Sequence, residues 1–270
     1  MKINFFRIKD VINKNAKSFV GRLLLFLSVL GPGLITANID NDAGGIATYS
    51  MTGALTGYRL LWTLLPITIA LIFVQEMCSR MGIVSGKGLA DLIREKFGLK
   101  ITFYILIFLI IADFGNTTAE FAGIASAGEI FGISKYFSVP LCALLVWLFV
   151  VKGDYKIVER FFLVGCTLYI SYIICGFITN PPWREVITNL YSPNPTEFKS
   201  TDLPMIVGLI GTTITPWMQF YLQAAIVEKG LRTENLMLSR LDVIFGCLFI
   251  YLSQPDAVPP EREALCQDSI

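Results

Sequence analysis

The amino-acid sequence predicts an all-α, polytopic membrane protein, and three observations favour this fold class. Hydrophobic residues make up 54% of the 270 residues, charged residues only 16%, and the mean hydropathy is +0.63, which is more apolar than a soluble domain. Seven apolar segments follow one another, most of them near the roughly 20 residues that span a bilayer. Lys and Arg concentrate in alternate loops, as in multi-pass membrane proteins.

Two of the seven segments are interrupted by polar residues. The first, at 22–54, is too long and too continuous for a cleaved signal peptide. The sixth, at 203–228, is interrupted at Pro216. The others lie near 60–83, 101–131, 137–152, 157–178 and 240–252.

The loops divide into two sets by their charge. One set, which includes the N-terminal tail at 1–21, carries 17 Lys and Arg residues, and the other carries 4. The positive-inside rule therefore predicts a multi-pass protein of the cell membrane with a cytoplasmic N-terminus. The Pro- and Asn-rich loop at 179–202 then lies outside, as a cap or connector.

The end of the chain changes character abruptly. The last apolar stretch has only 12 or 13 residues, too few to span a bilayer, and the polar residues 253–270 follow it. We interpret 22–252 as an incomplete transmembrane domain and 253–270 as a tail that is not part of the native fold.

The composition also argues against several classes of protein. A net charge of +1 gives no indication of nucleic-acid binding, and the chain contains no histidine. A Ser/His/Asp triad is therefore impossible, and the sequence lacks HExxH, P-loop and dinucleotide-binding patterns. We expect neither an enzyme nor a bound cofactor. The six scattered cysteines are interpreted as small buried hydrophobic residues.

The first segment contains acids at a depth where they are costly. Asp40, Asn41 and Asp42 stand in a row before Gly44 and Gly45, and one Asp at the centre of a spanning helix costs about 2.5 to 3.5 kcal/mol. These side chains must face protein, water or an ion, at a break whose unpaired backbone groups line a cavity. The alternative is that Asp42 only caps a second half-helix.

The sixth segment repeats this arrangement. Pro216 removes a helical hydrogen bond just after Thr212, Thr213 and Thr215. Two broken helices in corresponding halves are a sequence indication of a transporter's central site. Alternatively, these hydroxyls bond back to the preceding turn, and Trp217 only packs.

The third segment carries a polar stripe. Asp113, Asn116 or Thr117, and Glu120 share one helix face. They form either a polar pathway or a hydrogen-bonded contact between helices. Glu76 precedes Arg80 by four residues, which predicts a local ion pair.

Four stretches of the chain, in this order, resemble the Nramp family of divalent metal transporters. The resemblance implies a LeuT-like fold of two inverted five-helix repeats, whose first and sixth helices are broken around the metal. The present chain would hold the first repeat, the sixth helix and part of the seventh. The stretches are GPGLITANIDNDAGGIATYS, QEMCSRMGIVSGKGLADLIREKFG, AEFAGIASAGEIFGI and GTTITPWMQFYLQAAIVEKG.

The sequence departs from the family at both breaks. The family's first-helix signature is Asp-Pro-Gly-Asn, but here Gly45 stands where the Asn ligand would be and Ala43 where the Pro would be. The sixth-helix signature is Ala-x-x-Met-Pro-His, but here Thr215 replaces the methionine and Trp217 the histidine. The pattern is similar to that of the Nramp-related magnesium transporters.

These departures predict the ion and its ligands. Oxygen-only surroundings suit Mg²⁺ or Mn²⁺ better than softer metals, and Mg²⁺ keeps several waters. We expect Asp42 to bind the ion directly and Gly45 to leave room for a hydrated one. The other candidates are Asn38 and Asp40, which would hold inner-shell waters, and the carbonyls near Thr212 and Thr215.

Proton coupling is not expected. Thr117 stands where typical relatives have a third-helix Asp before Glu120, and no histidine is available as a relay. We therefore predict uncoupled movement of the cation. The alternatives are a proton-coupled Mn²⁺ or Fe²⁺ importer, a LeuT-type amino-acid transporter and an inactive truncated fragment.

Overall fold

Regular structure in this computed structural model is helical throughout the part of the chain that it describes, which confirms the all-α prediction. That part comprises residues 42–152, 165, 171, 174, 178, 181–191, 199–200 and 202–253. The helices are α1 (Ala43–Thr56), α2 (Leu64–Ser85), α3 (Leu89–Ile130), α4 (Lys135–Lys152), α5 (Trp183–Tyr191), α6 (Asp202–Thr213), α7 (Pro216–Lys229) and α8 (Leu236–Ser253), with 3-10 turns at Leu61–Thr63 and Thr233–Asn235.

Several sequence predictions fall outside the described residues. These are the N-terminal tail at 1–21, the first half of the first segment with Asn38 and Asp40, most of the fifth segment at 157–178, and the tail beyond Ser253.

Four helical stretches in the described part are long and apolar enough to cross a bilayer. They coincide with the second, third, fourth and sixth predicted segments. Their bounds are Leu61–Ser85, Leu89–Ile130, Lys135–Lys152 and Asp202–Lys229. The apolar runs therefore located these helices correctly, because a bilayer demands their length.

Helix α3 begins earlier than the predicted start at 101. It begins at Leu89 and contains a break at Gly98, where φ is 80° and ψ is 173°, a conformation essentially restricted to glycine. The charged residues between 91 and 100 hide this first part from a search for apolar runs. Helix α8 likewise begins at Leu236, before the apolar stretch at 240–252, and has 18 residues.

The predicted external loop contains helix α5 and ends in a buried ion pair. Asp202 is fully buried at the start of α6, and its Oδ1 lies 2.6 Å from Nη2 of Arg59, in the α1–α2 connection. Its other carboxylate oxygen accepts a hydrogen bond from the Lys199 backbone N–H at 2.9 Å. This ion pair joins the start of α6 to the end of α1.

Helices α2, α7 and α8 share the larger apolar core. Its buried members are Leu71, Cys78, Ile83, Met218, Leu222, Ile226, Val243 and Cys247. Cys78 and Cys247 are thus buried among hydrophobic side chains, as predicted.

A salt bridge joins α2 to α8 beside this core. The predicted Glu76–Arg80 pair is present at 3.9 Å, but the shorter contact of Glu76, 2.6 Å, is with Nε of Arg240. Glu76 therefore connects two helices as well as two turns of one helix.

Candidate metal site

Helix α1 begins at one of the predicted membrane-depth acids. Asp42 is its N-cap, and the side-chain Oδ1 accepts a hydrogen bond from the Gly45 N–H at 2.6 Å. Capping occupies one lone pair of one carboxylate oxygen, so most of the acceptor capacity of Asp42 stays available. The capping role raised as an alternative is therefore present, and it is compatible with binding a cation.

Glu120 of α3 meets the same helix start. Its Oε1 accepts a hydrogen bond from the N–H of Ala43, the residue after Asp42, at 3.2 Å, so both carboxyl groups lie at the start of α1. Two carboxylates at one helix start repel each other, and a bound cation would relieve that repulsion. The pair is thus a place where positive charge is favoured.

Small residues allow α1 and α3 to approach closely here. A Cβ added to Gly123 would lie 2.6 Å from the Ala43 Cβ, so only glycine fits without a shift. One added to Gly44 would lie 3.4 Å from Asp42 Oδ1 and 4.0 Å from Asn116 Oδ1. Asn116 therefore places a third oxygen-bearing side chain beside the two carboxyl groups.

The predicted stripe on α3 is only partly turned toward this site. Asn116 and Glu120 are half-buried, whereas Asp113 and Thr117 are exposed. The face of α3 that contacts α1 thus follows Asn116, Glu120 and Gly123. The spacing of the stripe indicated Glu120 in advance, but it could not predict that Glu120 meets the helix start at Asp42.

The contacts between α1 and α6 fix the relative level of the two breaks. The Thr52 Oγ1 lies 3.9 Å from the Met205 sulfur, and a Cβ on Gly208 would lie 3.5 Å from Thr48 Cγ2. From the first contact to the second, the residue number falls by four on α1 (52 to 48) and rises by three on α6 (205 to 208). The two helices are therefore antiparallel. Extending this register by two turns brings Asp42 level with Thr215.

The helix break predicted at Pro216 is confirmed. Helix α6 ends at Thr213, α7 begins at Pro216, and Thr215 between them is extended, with φ −79° and ψ 139°. The Thr215 hydroxyl is buried and has no hydrogen-bond partner among the described residues. It is thus oriented neither as a helix cap nor back to the preceding turn.

The neighbouring side chains at this break have more ordinary surroundings. Thr213 is buried, donates to the Leu209 carbonyl at 2.8 Å and bonds to the Tyr49 hydroxyl, so the back-bonding alternative holds for this threonine. Thr212 is half-buried. Trp217 packs against the α2–α7–α8 core, in agreement with a packing role.

In the described part of the chain, the candidate donors at this site are oxygen atoms. Asp42, Glu120 and Asn116 supply carboxylate and amide oxygens, and Thr215 a hydroxyl at the same level. Such ligands suit hard cations, whereas thiolate and thioether sulfur select softer metals. Gly45 is buried, its N–H donates to Asp42 Oδ1, and it has no side chain that could act as a ligand.

Similar proteins place this architecture in a known family. The family model "Natural resistance-associated macrophage protein-like" (Nramp) matches residues 33–254. The divalent metal cation transporter MntH of Verminephrobacter eiseniae is 29% identical over 237 residues, which cover 82% of this chain and 52% of that protein. MntH of Staphylococcus aureus strain JH9 is 29% identical over 215 residues, covering 76% and 46%.

A solved structure supports the fold. The manganese transporter of Eremococcus coleocola, in complex with an aromatic bis-isothiourea substituted compound, matches with a TM-score of 0.72 at 23% identity, covering 86% of this chain and 50% of that one. The LeuT-like fold of these transporters confirms the predicted fold class. The chain spans about half the length of the relatives it matches. With residues 33–254 matched, the chain belongs to the Nramp family.

Proposed function

We propose that this chain transports divalent metal cations across a membrane, with Mg²⁺ as the main substrate and Mn²⁺ also accepted. The observation that carries the proposal is that the carboxyl groups of Asp42 and Glu120 both accept backbone N–H groups of the first turn of α1. A dication between them would neutralise a carboxyl pair that is otherwise expensive at membrane depth. Membership in a family whose curated relatives are divalent metal cation transporters supports the same activity.

The preference for Mg²⁺ rests on the ligands. Thr215 offers an oxygen where the family signature has a methionine sulfur, and Gly45 offers space where it has an asparagine. Mg²⁺ needs only one or two carboxylates and keeps several of its waters. The buried Thr215 hydroxyl, which has no partner in the described part of the chain, is placed to accept a hydrogen bond from such a water.

Transport is proposed to be uncoupled from protons. The chain has no histidine, and Glu120 is held by an N–H of Ala43 that a proline, as in the family signature, would lack. Thr117 stands where typical relatives have an acid before Glu120, so the pair of acids on the third segment is also missing. Entry of two charges gains about 4.6 kcal/mol per 100 mV of negative-inside potential, which is sufficient to drive uptake.

A proton-coupled manganese importer is the second candidate. The solved neighbour is a manganese transporter, and a carboxyl pair such as Asp42 and Glu120 can share one proton when the metal has left. In that case metal uptake would acidify the compartment that it enters.

The orientation proposed from charge agrees with the pairing of the loops. Arg59, Lys199 and Asp202 meet at one end of the bundle, which the positive-inside rule places outside. A cytoplasmic N-terminus remains our proposal, to be tested by protease protection of an N-terminal tag.

Uptake into proteoliposomes tests the function. Reconstituted protein should take up Mg²⁺, with Mn²⁺ competing, at a rate that follows the membrane potential and does not change with an imposed pH gradient. Protein-free liposomes give the background. Acidification of the lumen during uptake would support the manganese importer instead, and an absence of any uptake would refute both candidates.

A further inference from the structure

After the break at Thr215, a row of buried polar side chains continues along α7 toward its C-terminal end. Gln219 and Gln223 follow Thr215 at intervals of four residues, on one side of the helix. Gln75 of the neighbouring α2 is also buried. The exposed fractions are 0% for Gln75 and Gln223 and 7% for Gln219. Carboxamides so completely buried are unusual, because these side chains are mostly exposed in proteins.

Several polar atoms of these side chains lack hydrogen-bond partners in the described part of the chain, although the Gln75 amide oxygen accepts from Cys247 Sγ at 3.6 Å. The atoms concerned are the Thr215 hydroxyl oxygen, the Gln75 amide nitrogen, both amide atoms of Gln219 and the Gln223 amide oxygen. A buried polar group that nothing satisfies destabilises the fold. Membrane proteins place such groups toward a bundle interior or a water-filled cavity.

A second buried polar pair in the same set of helices behaves differently. Ser79 of α2 and Ser239 of α8 bond to each other through their hydroxyls at 2.8 Å. Burial between these helices therefore does not by itself leave polar groups unsatisfied. The row on α7 requires another explanation, and water is the partner that fits groups offering both donors and acceptors.

The row leads in one direction, from the break to the turn between α2 and α3. A Cβ added to Gly82 would lie 3.1 Å from Gln223 Cγ and 3.3 Å from Ile226 Cγ2, so this close approach brings Gly82 level with Gln223. The second and sixth segments cross the membrane in the same direction on the predicted topology. Seven residues earlier, Gln75 is therefore near the level of Pro216, beside the break. At the far end, the Gln223 Nε2 donates to the Lys87 carbonyl at 2.8 Å.

We propose that Thr215, Gln219 and Gln223 of α7, together with Gln75 of α2, form a hydrated carboxamide track that carries the partly hydrated cation between the helix break and the α2–α3 turn. The Gln223 contacts with Gly82 and Lys87 close its far end. The proposal rests on the proposed function, and it adds the route by which the ion leaves its carboxylate site.

The chemistry of carboxamides suits such a route. The amide oxygens accept hydrogen bonds from the waters around a cation, and the amide N–H groups satisfy the remaining water oxygens. Because a carboxamide is neutral, it does not hold a dication as tightly as Asp42 and Glu120 would. Conduction requires contacts that are weak enough for the ion to move on.

Thiol labelling tests whether the track holds water. In a background lacking the six native cysteines, Gln219→Cys is compared with Leu222→Cys, a fully buried core position on the same helix. A small water-soluble thiosulfonate should modify the Gln219→Cys variant at least about tenfold faster, because the reaction needs a hydrated thiolate. Mg²⁺ should slow the modification. Equal rates in the two variants would overturn the track.

Uptake kinetics test whether the ion uses it. Gln219→Leu and Gln75→Leu should each lower the maximal Mg²⁺ uptake rate about tenfold, as loss of one hydrogen-bonding group predicts, while the Mg²⁺ concentration for half-maximal binding stays unchanged. The Ser79→Ala, Ser239→Ala double variant is the matched control and should transport normally. Full transport by both glutamine variants would refute the route.

The two proposals fail in different ways. If the parent protein neither binds nor takes up Mg²⁺ or Mn²⁺, the proposed function falls and the ion route with it. If the parent transports but the Gln219→Cys variant labels no faster than Leu222→Cys, only the track is wrong.

Discussion

The start of α1 and the start of α7 differ in how their polar groups are satisfied, although both begin a helix inside the bundle. At α1, Asp42 accepts from the Gly45 N–H and Glu120 accepts from the Ala43 N–H. At α7, the residue that follows the break is a proline without an N–H, and the Thr215 hydroxyl has no partner among the described residues. Acidic side chains are therefore held at one break by backbone donors, and a neutral polar group is left open at the other.

This difference assigns separate tasks to the two breaks under the proposed function. Carboxyl groups fixed by backbone donors bind the cation directly with little reorganisation. Open hydroxyl and amide groups are better suited to the waters that the cation keeps. Changes at the α1 break should therefore abolish or weaken binding, whereas changes at the α7 break should alter selectivity and rate.

The largest effect is expected at Asp42, where capping and cation binding can be separated. Asn caps a helix about as well as Asp, whereas Ala costs about 1 kcal/mol of stability. Asp42→Asn should therefore abolish Mg²⁺ uptake while the melting temperature stays unchanged, and Asp42→Ala should lose both uptake and some stability. Uptake and thermal unfolding of both variants are the measurements. Normal transport by Asp42→Asn would mean that the acid is only a cap.

A smaller loss is expected at Glu120. Glu120→Gln keeps an oxygen for the Ala43 N–H but removes one of the two charges, so Mg²⁺ affinity should fall about tenfold or more. Calorimetric titration with Mg²⁺ measures it. The matched control is Glu129→Gln at the end of the same helix, an exposed carboxylate 3.7 Å from Lys135, which should bind as the parent does. Unchanged affinity in Glu120→Gln would remove this residue from the site.

The close approach of α1 and α3 can be tested without substituting a residue that is proposed to bind the cation. Gly123→Ala puts a methyl group 2.6 Å from the Ala43 Cβ and should move Asp42 away from Glu120. We expect Mg²⁺ affinity to fall about fivefold, since displacements of this size weaken sites that depend on geometry. Gly115→Ala is the control on the same helix, because no atom lies within 4 Å of its added Cβ. Equal affinities in the two variants would contradict the proposed geometry.

The positions of helices and of the second break were largely predictable from the sequence. Bilayer thickness dictates the length of apolar runs, so α2 and α4 lie within a few residues of their predicted bounds. Pro216 cannot continue a helix, so the second break was predictable as well. Helix α3 was partly missed because its first residues are charged and Gly98 interrupts it.

The partners of the polar residues were harder to predict. Asp42 and Glu120 are 78 residues apart, and Glu76 and Arg240 are 164 apart. Helical periodicity indicates which face of a helix is polar, but it carries no information about which other helix covers that face. The stripe with Glu120 was visible for this reason, whereas its meeting with Asp42 needed the three-dimensional structure.

The smallest predicted effect is a change of ion preference at the α7 break. Thr215→Met puts a thioether where the hydroxyl now lies, and sulfur favours softer metals. We expect the affinity for Mn²⁺ and Cd²⁺ to rise about threefold to tenfold relative to Mg²⁺, as one added soft contact of about 1 kcal/mol would give. The control is Thr215→Val, which removes the hydroxyl without adding sulfur. It should lower the Mg²⁺ uptake rate without favouring Cd²⁺. If both variants shifted equally toward Cd²⁺, the shift in metal preference would come from the loss of the hydroxyl and not from the added sulfur. The α7 break would then bind water and would not select the metal.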